Sequence, residues 1–159
     1  MTQTPSSIAG VLLTPLRIIS DPRGTVKHML RADAPHFIAF GEIYFSTVLP
    51  GAVKAWKRHR RMTLNLAAPV GAVRLVLFDD RPDSPSRSRI EEIELDGADH
   101  YQLATVPPLV WSGFIGLGPE PAVVANCATQ VHCPAESDQL APDDPQIPYC
   151  WITGPLRGR

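Results

Sequence analysis

The chain has 159 residues and a formal net charge of −1 at pH 7. That length predicts one domain with a real core, and the near-zero charge excludes general nucleic-acid binding, because the basic residues are local rather than dominant. An odd number of cysteines, three, predicts a reduced setting. The first residues lack the features of a signal peptide and no apolar stretch reaches membrane-spanning length, so we expect a cytoplasmic protein without a membrane partner.

Short apolar runs rich in Val, Ile and Leu recur along the chain, separated by 17 prolines and 11 glycines. This pattern is typical of an all-β domain. Residues 10–20 and 25–31 predict a hairpin around the turn at 21–24, with the first strand interrupted at Pro15. The other predicted strands cover residues 37–49, 53–61, 63–68, 72–78, 90–95, 101–106, 115–117 and 122–129.

About nine or ten short strands with frequent turns predict a β-sandwich or small barrel, with its core in residues 10–130. Residues 79–89 are polar and contain two prolines, so we expect a solvated loop there. Residues 131–159 are too polar and proline-rich for a core strand. They predict a tail of the same single domain, laid across the surface and anchored by Ile147, Tyr149 and Trp151.

The basic run from Val53 to Arg61 places five cationic side chains, a tryptophan and a histidine close together. On a strand, Val53, Ala55, Lys57, His59 and Arg61 would share one face. A histidine flanked by two cations predicts an anion pocket, in which His59 acts as a base because neighbouring positive charge favours its neutral form. The alternative interpretation is an ordinary solvated strand.

Several short motifs follow one another along residues 11–151. In order, they are Asp21-Pro22-Arg23-Gly24, a strand that ends in His59, the turn at Gly71, Pro107-Pro108 with Gly113-Phe114, and residues 143–148 followed by Trp151. This ordered set resembles the dTDP-4-dehydrorhamnose 3,5-epimerase family.

The resemblance implies a double-stranded β-helix, the jelly-roll barrel of the RmlC-like cupins. It implies a homodimer whose N-terminal strands cross to the partner, and a cofactor-free reaction. In that reaction, a base removes a proton beside the ketone of a nucleotide-linked 4-keto-6-deoxy sugar, and a proton returns on the opposite face. The function implied is an epimerase or isomerase of deoxysugar or polysaccharide biosynthesis.

His59 falls where the family has its catalytic base, and Arg23 falls where the family has an arginine near the nucleotide. Ala125 stands at the position of the family's proton-donating tyrosine, and alanine cannot donate. We therefore expect Tyr44, on the strand before the basic run, or a bound water to replace it. The carboxylate that pairs with the base in the family belongs to a C-terminal extension that we expect this chain to lack.

Other positions around the expected substrate also depart from the family. His28 stands at a common glutamate, Trp56 at an arginine, and Ser112 at a second histidine. The full predicted substrate-binding set is Arg23, His28, Glu42, Trp56, Lys57, Arg61 and Ser112.

Three alternatives to epimerisation remain at this point. A ketoisomerase would return the proton on the same face, and a catalytically inactive relative would only bind a sugar nucleotide. A metal-dependent cupin would need histidines around His59, whereas Lys57 and Arg61 stand two residues to either side and cations disfavour a divalent ion. His100 and His132 are isolated, so we predict no metal site.

Overall fold

Fifteen β-strands and one turn of 3-10 helix form within residues 3–152 and 154–155, the part of the chain that the computed structural model describes. None of the helical structure in this part has the length and apolar character that a membrane span needs. The strands are β1 (Thr4–Pro5), β2 (Leu12–Pro15), β3 (Ile18–Asp21), β4 (Gly24–Lys27), β5 (Glu42–Val48), β6 (Val53–His59), β7 (Leu64–Val70), β8 (Ala72–Phe78), β9 (Ile90–Asp96), β10 (Gln102–Val106), β11 (Trp111–Gly116), β12 (Ala122–Ala128), β13 (Ser137–Gln139), β14 (Tyr149–Cys150) and β15 (Gly154–Pro155); the 3-10 helix is Pro134–Glu136.

Two antiparallel sheets pack face to face. One sheet has six strands in the order β1-β2-β10-β7-β12-β5, and the other has five in the order β13-β6-β11-β8-β9. Apolar side chains from both sheets, among them Val48, Leu75, Leu95 and Val106, are buried between them. The predicted all-β jelly-roll architecture is confirmed.

The N-terminal hairpin lies on the outer face of the six-stranded sheet. The predicted break at Pro15 is confirmed, because β2 ends there and β3 begins at Ile18 in a separate two-stranded sheet with β4. Ile18 and Met29, at the base of this hairpin, pack against Tyr101 and Leu103. The hairpin therefore covers part of an outer face rather than entering the core between the sheets.

The C-terminal segment covers the outer face of the five-stranded sheet. Ile147 and Tyr149 are buried there as anchors and pack with Trp56 and Trp111. The expectation of a mere surface tail needs one correction, because residues 137–139 form strand β13 at the sheet edge, paired with β6. An antiparallel strand at an edge needs backbone pairing rather than an apolar sequence, so polar residues are tolerated.

Most residues of the loop at 79–89 are exposed, as expected, but two buried polar residues, Asp79 and Ser86, anchor it. Asp79 is fully buried and accepts hydrogen bonds from Arg81, Ser84 and Ser86. Burial would raise the pKa of Asp79, but these hydrogen bonds outweigh it and lower the pKa below its ordinary value. Arg81 also donates to the carbonyl of Ala9, which ties the loop to the N-terminal segment.

Candidate active site

A cavity of about 330 Å³ opens beside strands β5, β6, β11 and β12. Its apolar lining includes Leu64 and Leu66 of β7, Val124 of β12 and Phe114 of β11. Five of the nine residues predicted for the site line this cavity, namely Tyr44, Trp56, Lys57, His59 and Ser112.

His59, the last residue of β6, is held by a buried carboxylate. Its Nδ1 lies 2.8 Å from Oε2 of Glu136, and the side chains of the two residues are 6% and 2% exposed. A charged carboxylate only accepts hydrogen bonds, so Nδ1 donates and the neutral imidazole keeps a free lone pair on Nε2. Because His59 lines the cavity, this arrangement leaves Nε2 available as a base.

Glu136 is placed by the pairing of β13 with β6, in which Ser137 lies opposite His59. Its Oε1 accepts the backbone N–H groups of Arg61 and Met62, the latter at 2.9 Å. Burial would raise the pKa of Glu136, but the hydrogen bonds from His59 and the two amides lower it below the ordinary value. The expectation that the chain lacks a carboxylate partner for the base is therefore wrong, because the 3-10 helix supplies one.

The pKa of His59 lies below its ordinary value of 6.5. Burial is the main cause, because it disfavours the charged imidazolium; Lys57 and His132 lower the pKa further, while Glu136 raises it. From the sequence we predicted that the pKa of His59 is lowered, but by neighbouring cations alone and not by burial. At neutral pH, His59 is uncharged and able to accept a proton.

Tyr44 reaches the cavity from the six-stranded sheet, on the edge strand β5. Its hydroxyl accepts a hydrogen bond from Nδ2 of Asn126 at 2.8 Å. The amide of Asn126 is oriented in turn, because its Oδ1 accepts the backbone N–H of Asn65 at 3.0 Å. Since the tyrosine oxygen accepts from Asn126, its own proton is free to be donated into the cavity.

A register shift brings a second lysine to the cavity wall. Lys57 lies opposite Ser112, whereas Lys54 lies opposite Phe114, so β6 has one more residue than β11 over this stretch. Lys54 therefore lines the cavity with Lys57. The sequence predicted that every second side chain of residues 53–61 faces the same side. This expectation is corrected, because side chains before a bulge face the opposite side from the one that strict alternation predicts.

Gly113 lies at this register shift, where β6 and β11 approach closely. A Cβ atom on Gly113 would lie 2.5 Å from the Cβ of Ala55 and 3.0 Å from Cζ2 of Trp151. Trp56 packs behind the same wall: it is 1% exposed, its Nε1 donates to the carbonyl of Pro142, and its ring centroid is 4.9 Å from that of Trp151. Trp56 thus supports the wall more than it presents surface to a ligand.

Four predicted residues lie outside this cavity within one chain. Arg23 is at the tip of the β3–β4 hairpin, where its side chain is 89% exposed and pairs with Asp21. Arg61 follows the end of β6 and is exposed, because the strand stops at His59. Neither residue lines this cavity in the single chain, and their roles in binding substrate stay predictions.

His28 and Glu42 also have other surroundings. His28 lines a second cavity beside the base of the hairpin. Glu42 begins β5, and its Oε1 is buried without a hydrogen-bond partner among the described residues. Neither residue lines the first cavity in the single chain, so their roles in binding substrate also stay predictions.

The alanine at the expected tyrosine position does not face the cavity. Ala125 is 2% exposed and lies opposite Ala67, which belongs to the outer cluster under the hairpin. Its strand neighbours Val124 and Asn126 line the cavity instead. Because alternate residues of a strand face opposite sides, Ala125 removes no proton donor from the cavity.

His100 lies in an exposed turn and is not isolated, contrary to the expectation from sequence. Its Nδ1 is 2.8 Å from Oδ2 of Asp96, and Glu94 lies close enough for the three side chains to offer ligand atoms within 4.8 Å of one another. The hydrogen bond between His100 and Asp96 explains why these side chains lie close together. None of the three residues lines the cavity.

Sequence reasoning missed Glu136, Asn126 and Lys54. Asn126 carries a usable signal, since it is the one amide in the apolar run 122–129, and a buried polar side chain needs a specific partner. Glu136 carries no local signal, because its partner His59 is 77 residues away along the chain.

Residues 5–157 match the family model described as dTDP-4-dehydrorhamnose 3,5-epimerase. The chain is 30% identical to the Haloferax volcanii protein named probable low-salt glycan biosynthesis epimerase Agl13, over 90% of this chain and 89% of that protein. It is 29% identical to the Bacillus subtilis spore coat polysaccharide biosynthesis protein SpsL, over 92% of this chain and 97% of that protein.

Solved structures show the same likeness. A dTDP sugar isomerase from Desulfovibrio desulfuricans G20 has 45% sequence identity and a TM-score of 0.91, with 98% of each chain covered. NovW, a 4-keto-6-deoxy sugar epimerase from Streptomyces spheroides, has 21% identity and a TM-score of 0.85, over 98% of this chain and 81% of that one. The second likeness shows the shared fold.

Proposed function

Because the chain belongs to the dTDP-4-dehydrorhamnose 3,5-epimerase family, we propose that it is an epimerase or isomerase of a nucleotide-linked 4-keto-6-deoxy sugar. The observation that carries the proposal is one cavity that holds His59, backed by Glu136, and Tyr44, backed by Asn126. The names of the two similar proteins support a role in making a precursor of a glycan or polysaccharide.

His59 is the base of the proposed reaction. Its Nε2 takes the proton from the carbon beside the ketone, and the electron pair of that C–H bond moves onto the ketone oxygen to give an enolate. Glu136 stabilises the imidazolium that forms, through the hydrogen bond at Nδ1. Lys57, on the same strand and in the same cavity, offers positive charge to the enolate.

Tyr44 is the proposed proton donor. It belongs to the six-stranded sheet and His59 to the five-stranded sheet, so the two side chains enter the cavity from different walls. Donation to the carbon by Tyr44 inverts its configuration, and Asn126 stabilises the phenolate that remains. A ketoisomerase would instead return the proton from the side of His59.

Cations are the proposed binding groups for the diphosphate. Lys54 lines the cavity and donates to Oγ of Ser46 at 2.7 Å, which fixes its ammonium near the mouth formed by β5 and β6. Arg23 is too exposed to act within its own chain, so we place it at the cavity of a second copy. The proposed enzyme is therefore a homodimer formed through the N-terminal hairpins.

Exposed apolar side chains support this assembly. Ile19 and Val26, on the hairpin, are 41% and 60% exposed, and Phe45, on the outer side of β5, is 66% exposed. Such surface is usually covered in an assembly. Light scattering at micromolar concentration should give the mass of two chains, whereas the mass of one chain would contradict the homodimer.

The test of the function is proton NMR of a dTDP-linked 4-keto-6-deoxy sugar incubated with the protein in deuterated water. We expect deuterium at C3, C5 or both, and a new set of ring couplings if the configuration inverts. Exchange without new couplings at C3 or C5 would identify a ketoisomerase or a one-face reaction. Binding without any exchange would overturn catalysis and leave the sugar-nucleotide-binding alternative.

A further inference from the structure

A second cavity, of about 380 Å³, lies between the base of the β3–β4 hairpin and residues 31–36. None of the residues proposed above for proton transfer lines it. Its polar lining consists of Thr14, Arg17, His28, Arg31 and His36.

Two residues that line this cavity each have a buried polar atom with no hydrogen-bond partner among the described residues. Thr14 Oγ1 and His36 Nε2 are among four such side-chain atoms in the described part of the chain. Nε2 of Gln3 donates to Nδ1 of His36 at 2.8 Å, so the neutral imidazole carries its proton on Nε2. Since buried donors are normally satisfied, His36 favours a ligand that accepts a hydrogen bond.

The charged side chains that line this cavity, Arg17 and Arg31, are both positive. Arg17 is exposed and makes no ion pair within the described residues. Arg31 binds Asp33 through Nε and Nη2, at 2.8 and 2.6 Å, which leaves its Nη1 free. Asp33 is satisfied by that pair, and no carboxylate lines the cavity.

The remaining wall is apolar and includes Leu16 and Met29. Leu16 and Met29 also pack on the cluster around Tyr101 and Leu103, which holds the base of the hairpin on its own sheet. The cavity is thus formed within one chain, although the tip of the hairpin carries Arg23 away from it.

We propose that this second cavity binds the oxyanion of a small metabolite, a phosphate or carboxylate group. The guanidinium groups of Arg17 and Arg31 neutralise the charge, and His36 Nε2 and the Thr14 hydroxyl donate to its oxygens. The body of the ligand lies against Leu16 and Met29. Within one chain, this site shares no lining residue with the proposed catalytic cavity.

The test is a set of NMR titrations of isotope-labelled protein with inorganic phosphate, acetate and thymidine diphosphate, observing the imidazole nitrogens of His36. We expect a saturable shift, larger with phosphate than with acetate if phosphate is the bound group. Tighter binding of the diphosphate at His36 would identify a nucleotide as the source. Arg17→Gln should weaken binding about tenfold and Thr14→Val about fivefold.

Arg87 is an exposed arginine in the loop at residues 79–89, away from this cavity. Arg87→Gln is therefore the matched control and should leave the titrations unchanged. No saturable shift with any of the three anions would overturn the proposal, as would equal losses in Arg17→Gln and Arg87→Gln. A change in dimer dissociation alone in Arg17→Gln would make the cavity part of an interface and would also overturn it. Solvent exchange into the sugar, measured on the same variants, tests the proposed function separately.

Discussion

The two walls of the proposed catalytic cavity hold their polar groups in different ways. The side chain of His59 is 6% exposed, and that of its partner Glu136 is 2% exposed and accepts hydrogen bonds from two backbone amides. Tyr44 is 40% exposed on an edge strand, where its hydroxyl accepts from Asn126. The histidine and its carboxylate partner are shielded from water, whereas the tyrosine is open to it.

This difference bears on how each group performs its proposed task. A buried base keeps a lowered pKa and a fixed ring orientation, since the low dielectric strengthens its bond to Glu136. A half-exposed tyrosine regains its proton from solvent after each turnover, but water also reaches the same position. We therefore expect the wall of His59 to tolerate substitution less than the wall of Tyr44.

The largest effect should come from His59→Ala. Losing a general base typically costs ~10²–10⁴ in rate, while affinity for thymidine diphosphate should stay within a few-fold because cations bind the phosphates. Exchange of sugar protons in deuterated water measures the rate. His100→Ala, which removes an exposed histidine elsewhere, should leave exchange unchanged. An exchange rate untouched by His59→Ala would end its role as the base.

Tyr44→Phe should have the next largest effect, and only on the return of the proton to the sugar. Inversion of configuration should fall about 10²-fold, whereas exchange of the abstracted proton persists because His59 is intact. The NMR assay separates the two rates. Tyr101→Phe removes a hydroxyl outside the cavity and serves as the control. Undiminished inversion would show that water, and not Tyr44, donates the proton.

Glu136→Gln should reduce the rate by ~10-fold to 100-fold, as for other groups that orient an imidazole. The amide oxygen of glutamine can still accept from Met62, so the variant should fold. Because Glu136 raises the pKa of His59, its neutralisation should move the acid limb of the pH–rate profile to lower pH. Glu120→Gln, at an exposed turn, is the control; an unshifted acid limb would contradict the coupling.

The smallest effect is the dependence of stability on pH. The pKa of His59 is lower in the folded chain than its ordinary value of 6.5, so just below pH 6.5 the unfolded chain binds more protons. The free energy of unfolding should therefore fall as pH drops from 6.5 through the folded pKa. Urea unfolding measures it, and His59→Gln should flatten this part of the curve. An equal slope in both proteins would assign the effect to other groups.

The strands were predictable because their signals are local. Apolar runs bounded by proline and glycine predict strands, and Pro15 cannot supply a backbone N–H to a continuing ladder. The basic run likewise pointed to His59, since a histidine among cations is unusual on any strand. These signals need no knowledge of which segments meet.

The hydrogen bonds and strand contacts that orient the site were not predictable, because they join segments that are far apart in the sequence. The register shift between Ser112 and Phe114 brings Lys54 to the same face as Lys57, and strand register depends on the partner strand rather than on either sequence alone. The same dependence turned Ala125 outward and Asn126 inward.

The sequence by itself determined the all-β class and the break at Pro15 and made His59 the candidate base, because periodicity, turn residues and charge are properties of neighbouring residues. Only the tertiary structure decided that Glu136 meets His59, that Asn126 meets Tyr44, and that the hairpin carries Arg23 away from its own cavity. Those contacts join segments far apart in the chain. These contacts form only when the strands pair and their side chains are buried, and both depend on the whole fold rather than on any one stretch of sequence.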